Sequence, residues 1–417
     1  MAELRHPPGT FDVMPAESGP WQSVVTTFAG VVASAGYGLI LTPTFEDIGV
    51  FQRIGESTDV VRKEMYDFLD KGQRHVALRP EQTASVVRAF IQHRPTTPWK
   101  AWYAGSQFRF ERPQAGRYRE FHQVGIEAFG SADPDLDVEV VALGWEFYRA
   151  MGIHRMELLV NSLGDAACRP SYRQLLVDYL NSRHDELCDE HRDRIADNPL
   201  RVLDCKRPEC RSVTASAPRQ VDHLCADCAA HFARVTEGLA ALSIPFTMQP
   251  TLVRGLDYYT RTTFEYAGTA LESAQNALGG GGRYDGLVAA MGGPDTPAVG
   301  FALGVERILL ALTAEAVTPR PVALLDAFVV DFSGGAAARD LTARLRAAGL
   351  RVDRSFDARS PKAQFKAADR SGARLALIVG PDEAAAGTVA LKDLQNVGEQ
   401  VSVPSELVVG EVTRRLI

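Results

Sequence analysis

Two long β-prone runs, Trp99–Phe110 and Glu120–Phe129, are separated only by a short loop bearing arginines and a glycine. No helix lies between them, and the same holds around several other strand signals. Leu39–Thr42, Met156–Val160, Phe246–Val253, Thr262–Tyr266 and Ala298–Ala302 do not alternate regularly with helices. Strands joined through loops predict an α+β core with an antiparallel sheet. Helical periodicity is confined to a few segments. Val24, Val25, Phe28, Val31 and Val32 recur at helical spacing within 22–36. Pro80 and Glu81 open a helix over Thr83–His93, since proline is tolerated in a first turn. Asp133 can cap a helix whose face carries Leu136, Val140, Leu143, Phe147 and Met151.

From residue 165 to 242 the chain turns polar, mostly helical and cysteine-bearing, after which strand signals return. A helical insertion in one core explains this order, giving core segments 1–164 and 243–318 around 165–242. Thr313–Leu325, with Pro319 and Pro321, reads as a linker. Beyond it, Ala327–Asp331, Leu341–Ala348, Arg351–Arg354, Phe365–Ser371 and Leu375–Val379 alternate strand and helix. That alternation predicts a small α/β domain over 326–417 with a parallel-leaning sheet.

A length of 417 residues exceeds one compact core, and 46% hydrophobic with 23% charged residues is an ordinary globular balance. The N-terminus lacks the apolar stretch of an export signal, and runs such as Ile308–Leu312 are too short to cross a bilayer. A cytoplasmic protein is expected. In a reducing compartment, closely spaced cysteines point to metal or to nothing. A net charge of −7 argues against nonspecific coating of nucleic acid. Local basic footprints exist all the same: Arg109, Arg112, Arg117 and Arg119 crowd one segment. Residues 339–374 carry eight arginines and two lysines against Asp340, Asp353, Asp357 and Asp369. Each cluster alone reads as a solvated face; two in separate domains favour a polyanion partner.

Four segments carry chemistry. In Gln107–Gly125, arginines flanking a hairpin offer planar donors to phosphate oxygens, unless they merely pair with Glu111, Glu120 and Glu127. Leu252–Arg261 sets Arg254, Asp257, Tyr258 and Tyr259 in a sheet-like run, where buried polar groups need partners that a ligand can supply. Gly279–Gly282 fits neither a dinucleotide fingerprint nor a Walker loop, so these glycines let the backbone approach a ligand or turn tightly. Gly300–Leu310 reads as a strand entering a helix, with Arg307 near its start; the plain alternative is a surface pair with Glu306 or Glu315. Cys205-x4-Cys210 and Cys225-x2-Cys228 are spaced for a tetrahedral zinc knuckle, or are four unbound thiols.

Phe108–Pro113 and Gly300–Arg307 resemble motifs 2 and 3 of the class II aminoacyl-tRNA synthetases, and Leu39–Pro43 resembles motif 1, whose proline lies at that class's dimer interface. Arg79-Pro-Glu-Gln-Thr, Leu252–Tyr259 and Gly280–Gly286 are similar to segments that single out the histidine-specific family. The resemblance runs essentially end to end and includes an anticodon-binding domain. It implies a homodimer that joins L-histidine to its tRNA at the expense of ATP. It further implies that Glu81, Thr83 and Gln123 hold the histidine α-amino group, and that Glu127 and Tyr259, with Tyr258 beside them, read the imidazole. One donor and one acceptor on a neutral imidazole suit a carboxylate and a phenol. Arg109 and Arg254 are implied to clamp the α-phosphate, Arg307 the γ-phosphate, and Mg2+ to accompany the β- and γ-phosphates. Arg112 and Gln114 are implied to touch the acceptor end of the tRNA. Gln82 stands where the family commonly has glycine, which predicts a narrower pocket entrance. Zinc is no general requirement of the family, so an ion on Cys205, Cys210, Cys225 and Cys228 would be structural. Two rivals are disfavoured. The regulatory paralogue of histidine biosynthesis typically lacks a C-terminal domain and the catalytic arginines; a synthetase for another amino acid does not account for Glu127 with Tyr258 and Tyr259.

Overall fold

The computed structural model describes residues 3–53, 60–196, 198–203, 205, 207–253, 258–271, 276–317, 325–356, 359–396 and 400–416. The chain divides into two compact units, residues 1–14 with 21–319, and residues 320–417 with 15–20.

Among the described residues, the larger unit is built on an eight-stranded sheet. Its strands are β1 (Gly38–Leu39), β2 (Trp99–Phe108), β3 (Glu120–Phe129), β4 (Met156–Ser162), β5 (Thr247–Met248), β6 (Thr260–Gly268), β7 (Ala277–Arg283) and β8 (Ala298–Gly304). They lie in the order β1-β2-β3-β8-β7-β6-β4-β5. Every pairing from β2 to β4 is antiparallel, as the loop-joined strands predict. The two-residue edge strands run parallel to their neighbours.

Alternation along the strands sorts side chains to two faces. On β3, Val124, Ile126 and Ala128 enter a core with Val24, Phe28 and Val32 of the Ser18–Ser34 helix and Val140, Leu143 and Phe147 of the Pro134–Ala150 helix. Asp133 caps the latter helix through the Asp135 N–H at 3.0 Å, as expected. Gln123, Gly125 and Glu127 alternate with those core positions and look to the other face. There, Ala84, Val87 and Phe90 of the Thr83–His93 helix pack with Tyr103, Phe129 and Tyr284.

Gly279–Gly282 do not form a turn; they fill the interior strand β7. Their small size admits close backbone approach on both sides. A Cβ at Gly279 would meet the Ala302 carbonyl at 2.7 Å, and one at Gly282 the Thr262 carbonyl at 2.5 Å. The strand expected over Phe246–Val253 shrinks to Thr247–Met248, because Pro250 has no N–H for a ladder. Residues 165–242 contain helices and no strand among the described residues, with a core of Tyr172, Leu176, Leu180, Ile195, Val202 and Val213.

The smaller unit holds β9 (Ala327–Asp331), β10 (Val352–Arg354), β11 (Leu375–Val379), β12 (Thr388–Asp393) and β13 (Val401–Pro404), in the order β10-β9-β11-β12-β13. β9 runs parallel to β10 and β11, through crossover helices Ala336–Ala347 and Pro361–Arg370. β12 and β13 add an antiparallel edge that the parallel-leaning expectation omits.

Candidate active site

A cleft of about 200 Å³ opens between the β2–β3 hairpin loop, β7 and the start of the Val305–Ala314 helix. Arg109, Arg117, Gln123, Gly279 and Arg307 are among its lining residues. Arg109 sits just past β2, where its Nε donates to the Pro80 carbonyl at 2.9 Å and its guanidinium lies 5.2 Å from the Phe121 ring centroid. Arg307, in the first turn of its helix, donates from Nη1 to the Ala277 carbonyl at 2.6 Å and from Nε to the Gly116 carbonyl at 3.3 Å. It therefore ties the hairpin loop to β7 and forms no pair with Glu306 or Glu315. Burial, followed by the nearby Arg117, holds the Arg307 guanidinium below the usual arginine range, and Arg109 adds to the effect. Like charges gathered in a cleft favour a polyanionic ligand.

Further along the same face of β3 lies a buried polar cluster. Glu127 is 1% exposed. It accepts a hydrogen bond from Thr83 Oγ1 at 2.6 Å, another from the Tyr284 hydroxyl, and a longer one from the Tyr103 hydroxyl at 3.5 Å. Burial raises its carboxyl from the ordinary 4.5 to about 8, while the Thr83 and Tyr284 hydroxyls pull it down. Tyr258 and Tyr259 pack ring to ring with centroids 4.6 Å apart, and Tyr258 meets Tyr284 edge-on at 5.7 Å. Gly300 makes room for the carboxylate, since a Cβ there would collide with Glu127 Oε2. Between the cluster and the arginines, the buried Gln123 Oε1 has no hydrogen-bond partner among the described residues. It is an acceptor aimed at nothing the described residues supply.

Glu81 accepts from the Thr83 and Ala84 N–H groups at 2.7 and 2.8 Å, so it caps the Thr83–His93 helix. Burial pushes its carboxyl above the ordinary range. Gln82 is turned into the scaffold and buried. Its buried amide donates to Thr42 Oγ1 at 2.6 Å and accepts from Gln107 Nε2 at 2.8 Å, bridging the segment after β1 to β2. Arg112 and Gln114 are exposed on the hairpin loop, where Gln114 and Arg117 exchange backbone hydrogen bonds. Arg254 lies outside the described residues. The four knuckle cysteines do not converge as one set. Cys205 and Cys210 lie with Cys188 and His191, whereas Cys225 and Cys228 lie with Asp165 and Cys168. Of the basic residues across 339–374, Arg339, Arg346 and Arg351 pair with Asp340, Asp353 and Asp326, so that excess is partly neutralised within the unit.

Sequence reasoning missed three supports. Tyr103 and Tyr284 ring Glu127; the signal for Tyr103 was parity, since it shares a strand face with Ala101 and opposes Gly125. Arg79 pins Thr42, Pro43 and Ser106 through their carbonyls, at 2.8–3.3 Å. Glu306 accepts from the His122 backbone N–H at 2.9 Å and meets its ring Nδ1 at 3.0 Å, docking the helix start on β3.

A family profile described as histidyl-tRNA synthetase matches residues 9–308, and one described as an anticodon binding domain matches residues 326–415. The chain is 49% identical to the histidine–tRNA ligase of Mycobacterium marinum, with all of both chains covered. It is 48% identical to that of Moorella thermoacetica, covering 97% of this chain and 96% of the relative. Among solved structures, the apo histidyl-tRNA synthetase of S. aureus superposes with a TM-score of 0.82 at 34% identity, covering 98% of this chain and 100% of that one. The histidyl-tRNA synthetase of Nostoc sp. PCC 7120 does so with a TM-score of 0.75 at 25% identity, both chains being fully covered. On full-length identity, matching profiles and shared architecture, the chain belongs to the histidyl-tRNA synthetase family.

Proposed function

We propose that the protein activates L-histidine with ATP, releasing pyrophosphate, and transfers the histidyl group from the adenylate to the 3′ end of histidine tRNA. One observation carries the reading: a buried carboxylate ringed by hydroxyls lies along the same strand face as a cleft that gathers guanidinium groups. Gln123 and Glu127 stand four residue steps apart along the strand, about 13 Å, enough room for an amino acid between the imidazole end and the reacting carboxylate.

In this reading Glu127 accepts the imidazole N–H, and Tyr259 supplies the phenol for the other nitrogen with Tyr258 packed behind it. The orphaned Gln123 Oε1, with Glu81 and Thr83, takes the α-amino group; Gln82 supports them from behind. Arg109 and Arg254 flank the α-phosphate. Attack by the histidine carboxylate builds negative charge on that phosphate, so fixed guanidinium donors act most strongly in the transition state. Arg307 holds the γ-phosphate of a magnesium nucleotide. Oxygen ligands suit that ion, and Glu111 is a carboxylate that lines the cleft. Arg112 and Gln114 meet the tRNA acceptor end, and the 326–417 unit the anticodon.

The same proposal includes the division into 1–164, 165–242, 243–318 and 326–417. It also includes homodimerisation, which the exposed Leu39, Leu41 and Phe45 around Pro43 support. A cytoplasmic location accords with six cysteines free of disulfides, and no described helix is long and apolar enough to cross a membrane.

Charging of bulk tRNA with each radiolabelled amino acid tests the activity, and histidine alone should be incorporated. Arg109→Ala and Arg254→Ala should each abolish histidine-dependent pyrophosphate exchange without loss of fold. Incorporation of another amino acid, or exchange retained in both variants, overturns the reading.

A further inference from the structure

We propose that the helical segment 165–242 carries two structural zinc ions, one held by Cys188, His191, Cys205 and Cys210, the other by Asp165, Cys168, Cys225 and Cys228. In each group the four ligand atoms all lie within 4.8 Å of one another. Thiolates bound tetrahedrally to zinc at about 2.3 Å stand about 3.8 Å apart, so neither group needs more than a small contraction. Cys188 Sγ lies 3.0 Å from His191 Nδ1, and the Cys188 N–H points at Cys210 Sγ at 3.3 Å. In the other group Asp165 Oδ1 lies 3.7 Å from Cys168 Sγ and 3.9 Å from Cys225 Sγ. Its second oxygen faces Arg261 Nη2 at 3.3 Å, which orients the carboxylate and offsets part of the negative charge of a three-thiolate site.

The composition of the groups favours metal over disulfides. Each contains three cysteines and one further ligand type, His191 or Asp165, for which a disulfide has no use. Sulfur with imidazole or carboxylate at four-fold coordination is zinc chemistry. The order along the chain is nested: Asp165-x2-Cys168 and Cys225-x2-Cys228 enclose Cys188-x2-His191 and Cys205-x4-Cys210.

Nesting gives each ion its own mechanical task. The outer ligands sit where the segment leaves β4 and where it returns at the head of the Ala226–Ala241 helix, so that ion clasps the root. The inner ligands belong to a small core in which Cys188 and Cys210 are buried among Leu187, Val202 and Val213. The helices around them, Asp189–Arg192, Leu200–Leu203 and Pro208–Thr214, are too short to hold themselves. Small modules of this kind are commonly stapled by a metal. Neither group lines the cleft described above, so the inference stands independently of the aminoacylation reading.

Full-length protein purified without chelator should carry two zinc ions per chain by plasma mass spectrometry. Cys188→Ser and Cys168→Ser should each retain one, and the double variant none. A single ion shared by Cys205, Cys210, Cys225 and Cys228 would instead leave the metal content untouched in Cys188→Ser. Should the variants fold poorly, mercurial titration of the unaltered protein with a metallochromic dye serves in their place, and two zinc ions should be released as the six thiolates react. Fewer than two ions in the unaltered protein, iron in place of zinc, or two ions surviving in Cys188→Ser overturns the proposal.

Discussion

Tyr284→Phe removes one hydroxyl and nothing else from the wall of the pocket proposed for the imidazole, since the ring keeps its packing against Phe129 and Tyr258. That hydroxyl donates to the fully buried Glu127, whose carboxyl titrates at about 8. A hydrogen bond to an ionised group contributes about 1.5–3 kcal/mol, and roughly 1.4 kcal/mol corresponds to one pKa unit. The Glu127 midpoint should therefore move up by about one to two units. Accepting an imidazole N–H requires the carboxylate, so histidine affinity falls as pH falls through this midpoint. Because the variant's midpoint is higher, its deficit is largest at low pH. At pH 7 the ionised fraction drops by roughly tenfold to a hundredfold, and by pH 9.5 the deficit shrinks to a few-fold at most. Histidine dissociation constants from isothermal titration calorimetry between pH 7 and 9.5 measure this directly, and the ratio of variant to unaltered protein cancels the titration of histidine itself. A ratio that is flat across pH, or close to one throughout, refutes the assignment of Glu127.

Gly300→Ala should weaken histidine binding far more than ATP binding, because its Cβ would drive into the Glu127 carboxylate; equal losses in calorimetry for both ligands contradict this. Asp137→Ala takes one of its two carboxylate partners from the fully buried Arg283, leaving Asp285 at 3.1 Å, and should destabilise the larger unit by up to roughly 3–5 kcal/mol in urea unfolding. A loss below about 1 kcal/mol argues against a dry ion pair there. Gln82→Ala leaves Gln107 with neither amide atom bonded, given that its Oε1 already lacks a partner. It should cost about 1–3 kcal/mol of stability, visible as a lower melting temperature; an unchanged melt would mean that water fills the gap.

The antiparallel core was legible because it rests on local patterns. The β2–β3 hairpin follows from two long apolar-alternating runs with no helix between them, and the Pro134–Ala150 helix from its cap and its apolar face. Arg109 and Arg307 were legible as site candidates because each stands at the end of a readable element. Tyr284 was not, since its meeting with Glu127 depends on β7, β8 and β3 lying side by side, which no short-range signal encodes. Glycines 279–282 misled for a related reason. Their intrinsic preference is for turns, but flanking strands overrode it. The knuckle cysteines illustrate the limit most clearly. Spacing identified the two cysteine pairs, and only the packing of the helices between them assigned each pair to partners that spacing had left out.

The β7 floor bears on how such a pocket can diversify. Four successive residues contribute no side chain there, and added atoms at Gly279 or Gly282 would strike neighbouring main chain. Point changes on that wall thus have almost no neutral steps available to them. A lineage drifting toward a new amino acid would have to remodel the opposite side, through the tyrosine pair, Thr83 or the hairpin loop, leaving the polyglycine strand as the fixed half of the mould.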